Sequence, residues 1–239
     1  MRLLRTALLP VRRGHPLRWL MLVAVLLAAG GLWAVSATTV RIDFSLIGSQ
    51  ASQRYGAQAQ ARVNAWQQLL EQLPLLDELE QVHRVNAFFH DNLQYRLDSE
   101  LYGREDYWAT PLEALGHGAG DCEDFAIAKY LSLRHAGIDD ERLKLVYVRA
   151  RIGGSRSQIT QAHMVLSYQA SVDQPPLILD SLISEVMPAS LRTDLLPVFS
   201  FNHGGMWAQG ASGSLGSATA RLSHWRNVLE RMAEQGVQW

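Results

Sequence analysis

At 239 residues, 48% hydrophobic and 19% charged, the chain is long enough for one sizeable folded domain with or without a membrane segment, and its composition excludes disorder. The formal charge is −1, and five arginines lie before residue 38, so the remainder carries −6. An acidic body lacks the basic face that nucleic-acid binding requires, and a single cysteine cannot form an internal disulfide.

The first 37 residues have a targeting pattern. Arg2, Arg5, Arg12, Arg13 and Arg18 precede an uncharged apolar run from Trp19 to Ala37, and no acid occurs before Asp43. A basic start, an apolar centre and Val35-Ser36-Ala37 fit a secretory signal. As a helix the run spans about 28 Å, so it also suits a membrane anchor. Residues 1–37 are therefore read as signal peptide or anchor. The arginines keep that end in the cytoplasm and place the rest across the membrane.

Residues 38–60 read as a linker with a strand-like stretch at 39–44. Two amphipathic helices follow. Val63, Trp66, Leu69, Leu70 and Leu73 share one face before the break at Pro74, and Leu79, Val82, Val85, Phe88 and Phe89 share another. His83 and His90 lie on the second helix without a metal-ligand spacing such as i, i+4. Thr110-Pro111 starts a short helix, with Tyr107 and Trp108 packing before it.

Cys122 then opens a helix. It follows Gly118-Ala119-Gly120-Asp121 and precedes Glu123-Asp124-Phe125, and the helical pattern runs to Ala136 and stops at Gly137. A lone cysteine is ordinarily a small buried hydrophobe. This one stands between carboxylates at a helix start, where backbone N–H groups favour a thiolate. Asp121 is placed as the N-cap.

Strands follow at 143–150, 161–168 and 177–180, with a fourth at 198–202. The short connections imply antiparallel pairing, which brings His163 and Asp180 together. Residues 204–219 read as a Gly/Ser-rich linker, and 220–235 as a helix that either docks on the domain or serves a partner.

A thiol nucleophile needs a base, and the base needs a group that fixes its tautomer. Cys122, His163 and Asp180 supply these in order. Asp106-Tyr107-Trp108-Ala109-Thr110-Pro111, Gly120-Asp121-Cys122-Glu123-Asp124, Ala162-His163-Met164-Val165-Leu166, Leu179-Asp180 and the run from Asp194 to Asn202 together resemble the bacterial transglutaminase-like cysteine proteases over residues 60–202. Ser181 stands where that pattern leads us to expect Asn. The resemblance implies an α+β, papain-like core of helices on an antiparallel sheet, residues 61–203 forming the protease domain. It implies Cys122 as nucleophile, His163 as base and Asp180 as orienting group. It also implies Ca²⁺ beside the cysteine, with Asp121 and Glu123 at the ligand positions. Two carboxylates are too few for calcium, so backbone carbonyls, waters, and Asp124 or a distant acid are the candidates to complete the shell. The implied substrate is the N-terminal region of a large biofilm adhesin, cut in the periplasm at a pair of alanines. The implied regulator is an inner-membrane cyclic di-GMP receptor. A transglutaminase or amide hydrolase with the same triad, and a non-catalytic binding module of the same fold, remain as alternatives.

Overall fold

The computed structural model describes residues 40–153, 157–211 and 213–239. Residues 1–37, read as signal or anchor, lie outside the described residues, as do Gly154 and Ser155 of the turn after residue 153. Among the described residues no helix is long and apolar enough to cross a membrane.

Strand β1 (Arg41–Ile42) leads into helices α1 (Phe44–Tyr55), α2 (Ala57–Gln72) and α3 (Glu78–Asn92). Strand β2 (Gln94–Tyr95) and the one-turn helix α4 (Asp98–Leu101) precede α5 (Pro111–His117), β3 (Ala119–Gly120) and α6 (Cys122–His135). The main sheet follows as β4 (Leu143–Arg151), β5 (Thr160–Tyr168), β6 (Leu177–Leu179), β7 (Met187–Pro188), β8 (Leu195–Phe201) and β9 (Met206–Ala208). Helices α7 (Ala218–Arg221) and α8 (Ser223–Glu234) and strand β10 (Val237–Gln238) complete the chain.

The six-stranded sheet has the order β7-β6-β5-β4-β8-β9, antiparallel throughout. Strand alternation sends Leu145, Leu166, Leu179 and Phe201 into the main core with the helices. Val148, Val165 and Ile178 form a smaller cluster apart from it. Helix α6 is buried continuously from Glu123 to Arg134, as its apolar residues on every side require. Its Ser132 hydroxyl accepts from the Trp66 indole N–H at 2.9 Å, which ties α6 to α2. On α3, Asp77 caps the first turn, and Val82, Val85 and Phe89 are buried. Leu79, read as part of that stripe, is instead exposed.

Two stretches read as linkers are part of the folded body. Residues 44–55 form α1, which buries Ile47, Gly48 and Ala51. Phe44 and Tyr55 pack against the core at its two ends, but two of its three buried positions between them are the small Gly48 and Ala51, which blurs the helical stripe. In the tail, β9 pairs with β8, and Gly204 and Gly205 donate backbone N–H groups to Asp140 Oδ2 and Asn202 Oδ1. The C-terminal helix docks. Trp225, Val228 and Met232 of α8 are fully buried, each contributing roughly 1.5–3 kcal/mol. Strand β10 then pairs with β1, Ile42 opposite Val237.

Candidate active site

The cysteine loop is built from close backbone approaches. Gly118 ends α5 with φ 66°, a left-handed conformation that costs glycine little. Ala119 and Gly120 pair in parallel with Gln94 and Tyr95. A Cβ on Gly120 would lie 2.7 Å from Asp124 Oδ2, so only glycine fits. Asp124 is the latch of this loop. Its Oδ1 accepts from Ala109 N–H at 2.7 Å and its Oδ2 from Asp121 N–H at 3.2 Å. The Asp106–Pro111 segment is thereby fixed to the start of α6. From the far side, Arg231 of α8 donates to Tyr107 Oη, Glu113 and the Trp108 carbonyl. Trp108 packs against Phe201 and also lines the cleft.

Cys122 is the first residue of α6, and its Sγ lies 2.9 Å from Glu123 Oε2. Burial pushes the thiol pKa up, and the adjoining Glu123 and Asp121 carboxylates push it further. The backbone N–H of Met164, the residue after His163, acts in the opposite direction on the same sulfur. Cys122 and His163 line one cleft of about 280 Å³, with Trp108, Tyr147 and Gln161 among its walls.

The register of β5 on β6 pairs Leu166 with Leu179, so Asp180 comes level with Val165 and diagonal to His163. His163 Nε2 donates to Asp180 Oδ1 at 2.8 Å, which leaves Nδ1 for proton transfer. The carboxylate is held from several sides. Leu182 N–H donates to Oδ1 at 3.0 Å, and Arg192 Nη2 donates to Oδ2 at 2.7 Å. Burial alone would raise the Asp180 pKa, but His163, the Leu182 N–H and Arg192 hold it well below the usual carboxylate range. Arg192 is itself anchored on Asp194 by Nε and Nη2, at 3.0 and 2.8 Å. The Asp180 carbonyl accepts from Lys129 Nζ and His90 Nε2, both at 2.8 Å. Lys129 is completely buried in α6, and that burial brings its pKa down to about 7.

A cluster of acids adjoins the cysteine. Oxygens of Asp98, Asp106 and Glu123 lie within 4.8 Å of one another, as do those of Asp98, Asp121 and Asp124. Burial and then mutual repulsion raise Asp121 to about 8. Asp98 rises to about 6, chiefly through burial, with Asp121 and Asp106 adding to it. Asp98 Oδ1 and Asp121 Oδ1 are both buried without a hydrogen-bond partner. Orphaned buried oxygens among several carboxylates are the donor set of a hard divalent cation, so these residues fit calcium. Asp124, one of the acids expected to complete the shell, has both oxygens taken by backbone N–H groups. Asp98, distant in sequence, brings its carboxylate within 4.8 Å of those of Asp121 and Asp124.

Residues 51–197 match the family described as bacterial transglutaminase-like cysteine proteinase. The chain belongs to that family. Among solved structures, EGTA-treated LapG of Legionella pneumophila is 37% identical, with a TM-score of 0.69, covering 80% of this chain and 98% of its own. Calcium-bound LapG of the same organism is 37% identical with a TM-score of 0.67, covering 80% of this chain and 99% of its own. No curated protein matches significantly. This transglutaminase-like proteinase is thus a cysteine protease with the expected α+β architecture. The structure brings His163 to Asp180 and places Cys122 in the same cleft, with Asp121 and Glu123 beside the sulfur. Arg192, Lys129, His90 and Asp98 were not legible as site residues in the sequence.

Proposed function

We propose that the protein is a calcium-dependent periplasmic endopeptidase in which Cys122, His163 and Asp180 act as one catalytic unit. The observation that carries this is the His163 Nε2–Asp180 Oδ1 bond at 2.8 Å, which frees Nδ1 within the cleft that Cys122 lines. His163 Nδ1 takes the thiol proton as Cys122 attacks the scissile carbonyl. The backbone N–H of Cys122, at the start of α6, is one donor for the developing oxyanion. His163 then protonates the leaving amine, and a thioester remains on Cys122. Water, with its proton passing to His163, hydrolyses the thioester and regenerates the thiol. Asp180, kept ionised by its partners, fixes the imidazole tautomer and balances the imidazolium.

Asp98, Asp121 and Glu123, with Asp106 at the rim, would hold the calcium. When bound, the ion offsets the carboxylate charge that otherwise opposes a thiolate at Cys122. The acidic cluster supports this reading, as do LapG structures described as calcium-bound and EGTA-treated.

The substrate we infer is the N-terminal region of a large biofilm adhesin, cut at a di-alanine bond under control of an inner-membrane cyclic di-GMP receptor. Its support is the motif resemblance together with the similarity to LapG. The periplasmic location, with residues 19–37 as signal core or anchor, is supported by the arginine-rich start and the apolar run. The test is to incubate the protein with adhesin N-terminal regions and identify products by mass spectrometry. Cleavage between two alanines that stops in Cys122→Ala and in EGTA is the expected result. Cleavage by Cys122→Ala would overturn the mechanism. Addition of a primary amine separates hydrolysis from acyl transfer to an amine.

A further inference from the structure

We propose that the active-site cleft continues into an apolar subsite for the leaving side of the substrate, the residues C-terminal to the scissile bond. This rests on the protease reading above. Two cavities meet at His163. The cleft of about 280 Å³ is lined by both Cys122 and His163. A second cavity of about 140 Å³ shares Tyr95, Leu97, Gln161, Ala162 and His163 with it and is not lined by Cys122.

The direction follows from the chemistry. The acyl half of the substrate stays on the sulfur, whereas the leaving nitrogen must receive its proton from His163. The chain beyond that nitrogen therefore passes on the histidine side. A cavity lined by the base and not by the nucleophile lies on the leaving side.

The walls converge from separate parts of the fold. Leu97 follows β2, Ala150 lies at the end of β4 and Ile152 just beyond it, and Leu182 lies two residues beyond Asp180. Leu97, Ile152 and Leu182 are 45%, 41% and 54% exposed. Single exposed apolar side chains are ordinary, but three around one hollow beside a catalytic base form a binding feature. No wall residue is an acid, lysine or arginine, so a charged side chain finds no partner there. Leu182 is also tied to the triad, because its N–H donates to Asp180 Oδ1. An apolar cavity of about 150 Å³ accommodates a benzene molecule. A hollow of about 140 Å³ thus suits one aliphatic side chain of the substrate.

The experiment uses quenched-fluorescence peptides that keep both alanines of the scissile bond and vary each of the next three positions to Leu, Ala or Asp. A single methylene in an apolar pocket alters kcat/KM by about 10–200-fold. We therefore expect Leu to exceed Ala by at least about 10-fold at one of these positions, with Asp lowest. In Leu182→Asp, and independently in Ile152→Asp, the Leu/Ala ratio should fall to within about 2-fold of unity, well below that methylene effect. Thermal melts verify that both variants are folded. Equal rates for Leu, Ala and Asp at all three positions overturn the subsite, as does a Leu preference that both variants retain. Cleavage surviving in Cys122→Ala instead overturns the protease reading on which the subsite rests.

Discussion

Replacing Arg192 with Met should destabilise the protein and move its acid unfolding to higher pH. Arg192 and Asp180 form an ion pair at 2.7 Å, with side chains 4% and 1% exposed. Removing one partner of a buried pair costs about 3–5 kcal/mol, because the other charge is left uncompensated. Asp180 keeps two other partners, His163 and the Leu182 N–H, both on Oδ1. The lower end of that range, about 3 kcal/mol, is therefore expected. For a domain of this size it corresponds to a Tm loss of roughly 6–12 °C. The pH dependence has a definite sign. Asp180 has a depressed pKa in the folded state, burial being outweighed by His163, the Leu182 N–H and Arg192. Its contribution is fully present above its unfolded pKa of about 4 and is lost as pH falls through the folded value. In the variant the folded pKa lies closer to the unfolded one, so the Asp180-linked loss is smaller and is complete at higher pH, and the earlier acid unfolding comes from the lower overall stability. Circular-dichroism melts from pH 3 to 7 measure both effects. A Tm within about 2 °C of wild type, with parallel pH curves, would refute the reasoning.

Cys122→Ala and His163→Ala should each lower kcat/KM by about 10⁴ or more, and the double variant should be hardly worse; losses that multiply would show that the two do not act as one unit. EGTA should stop cleavage, calcium should restore it and magnesium should restore little, since Mg²⁺ demands tighter octahedral geometry. Calorimetry should find calcium binding weakened in Asp98→Asn as well as in Asp121→Asn, and unchanged affinity in both would remove the acidic cluster as the site. Lys129→Met should lose a pH dependence of stability. Burial holds Lys129 near pKa 7 against an unfolded value of about 10.4, so the unfolded chain binds the extra proton between those values. Wild-type stability should therefore rise relative to the variant from pH 7 to pH 10, and identical slopes would contradict the assignment.

What could be read in the sequence was local or periodic. Cys122 stood out because its glycines, carboxylates and helix start are contiguous. His163 and Asp180 followed from short antiparallel connections, since register alone sets them on the diagonal. The supports of the triad are non-local. Arg192 lies in a loop with Asp194 as its visible neighbour, and nothing in the sequence points it at Asp180. Lys129 and His90 looked like ordinary helix residues, yet both converge on the Asp180 carbonyl. Asp98 sits in a one-turn helix far from the cysteine in sequence and reaches Asp121 only through the fold. The two stretches misread as linkers have the same cause. Helix α1 buries the small Gly48 and Ala51 beside Ile47, which thins its apolar stripe, and the Gly/Ser-rich tail is held by backbone bonds to Asp140 and Asn202.

The most direct test of the account is to trap the thioester. The protein is mixed with an Ala–Ala peptide in calcium, quenched in acid within the first turnover, and its intact mass recorded. The account predicts an increase equal to the acyl half of the peptide, mapped by fragmentation to Cys122 and missing from Cys122→Ala. An adduct on any other residue, or turnover by Cys122→Ala, would contradict it.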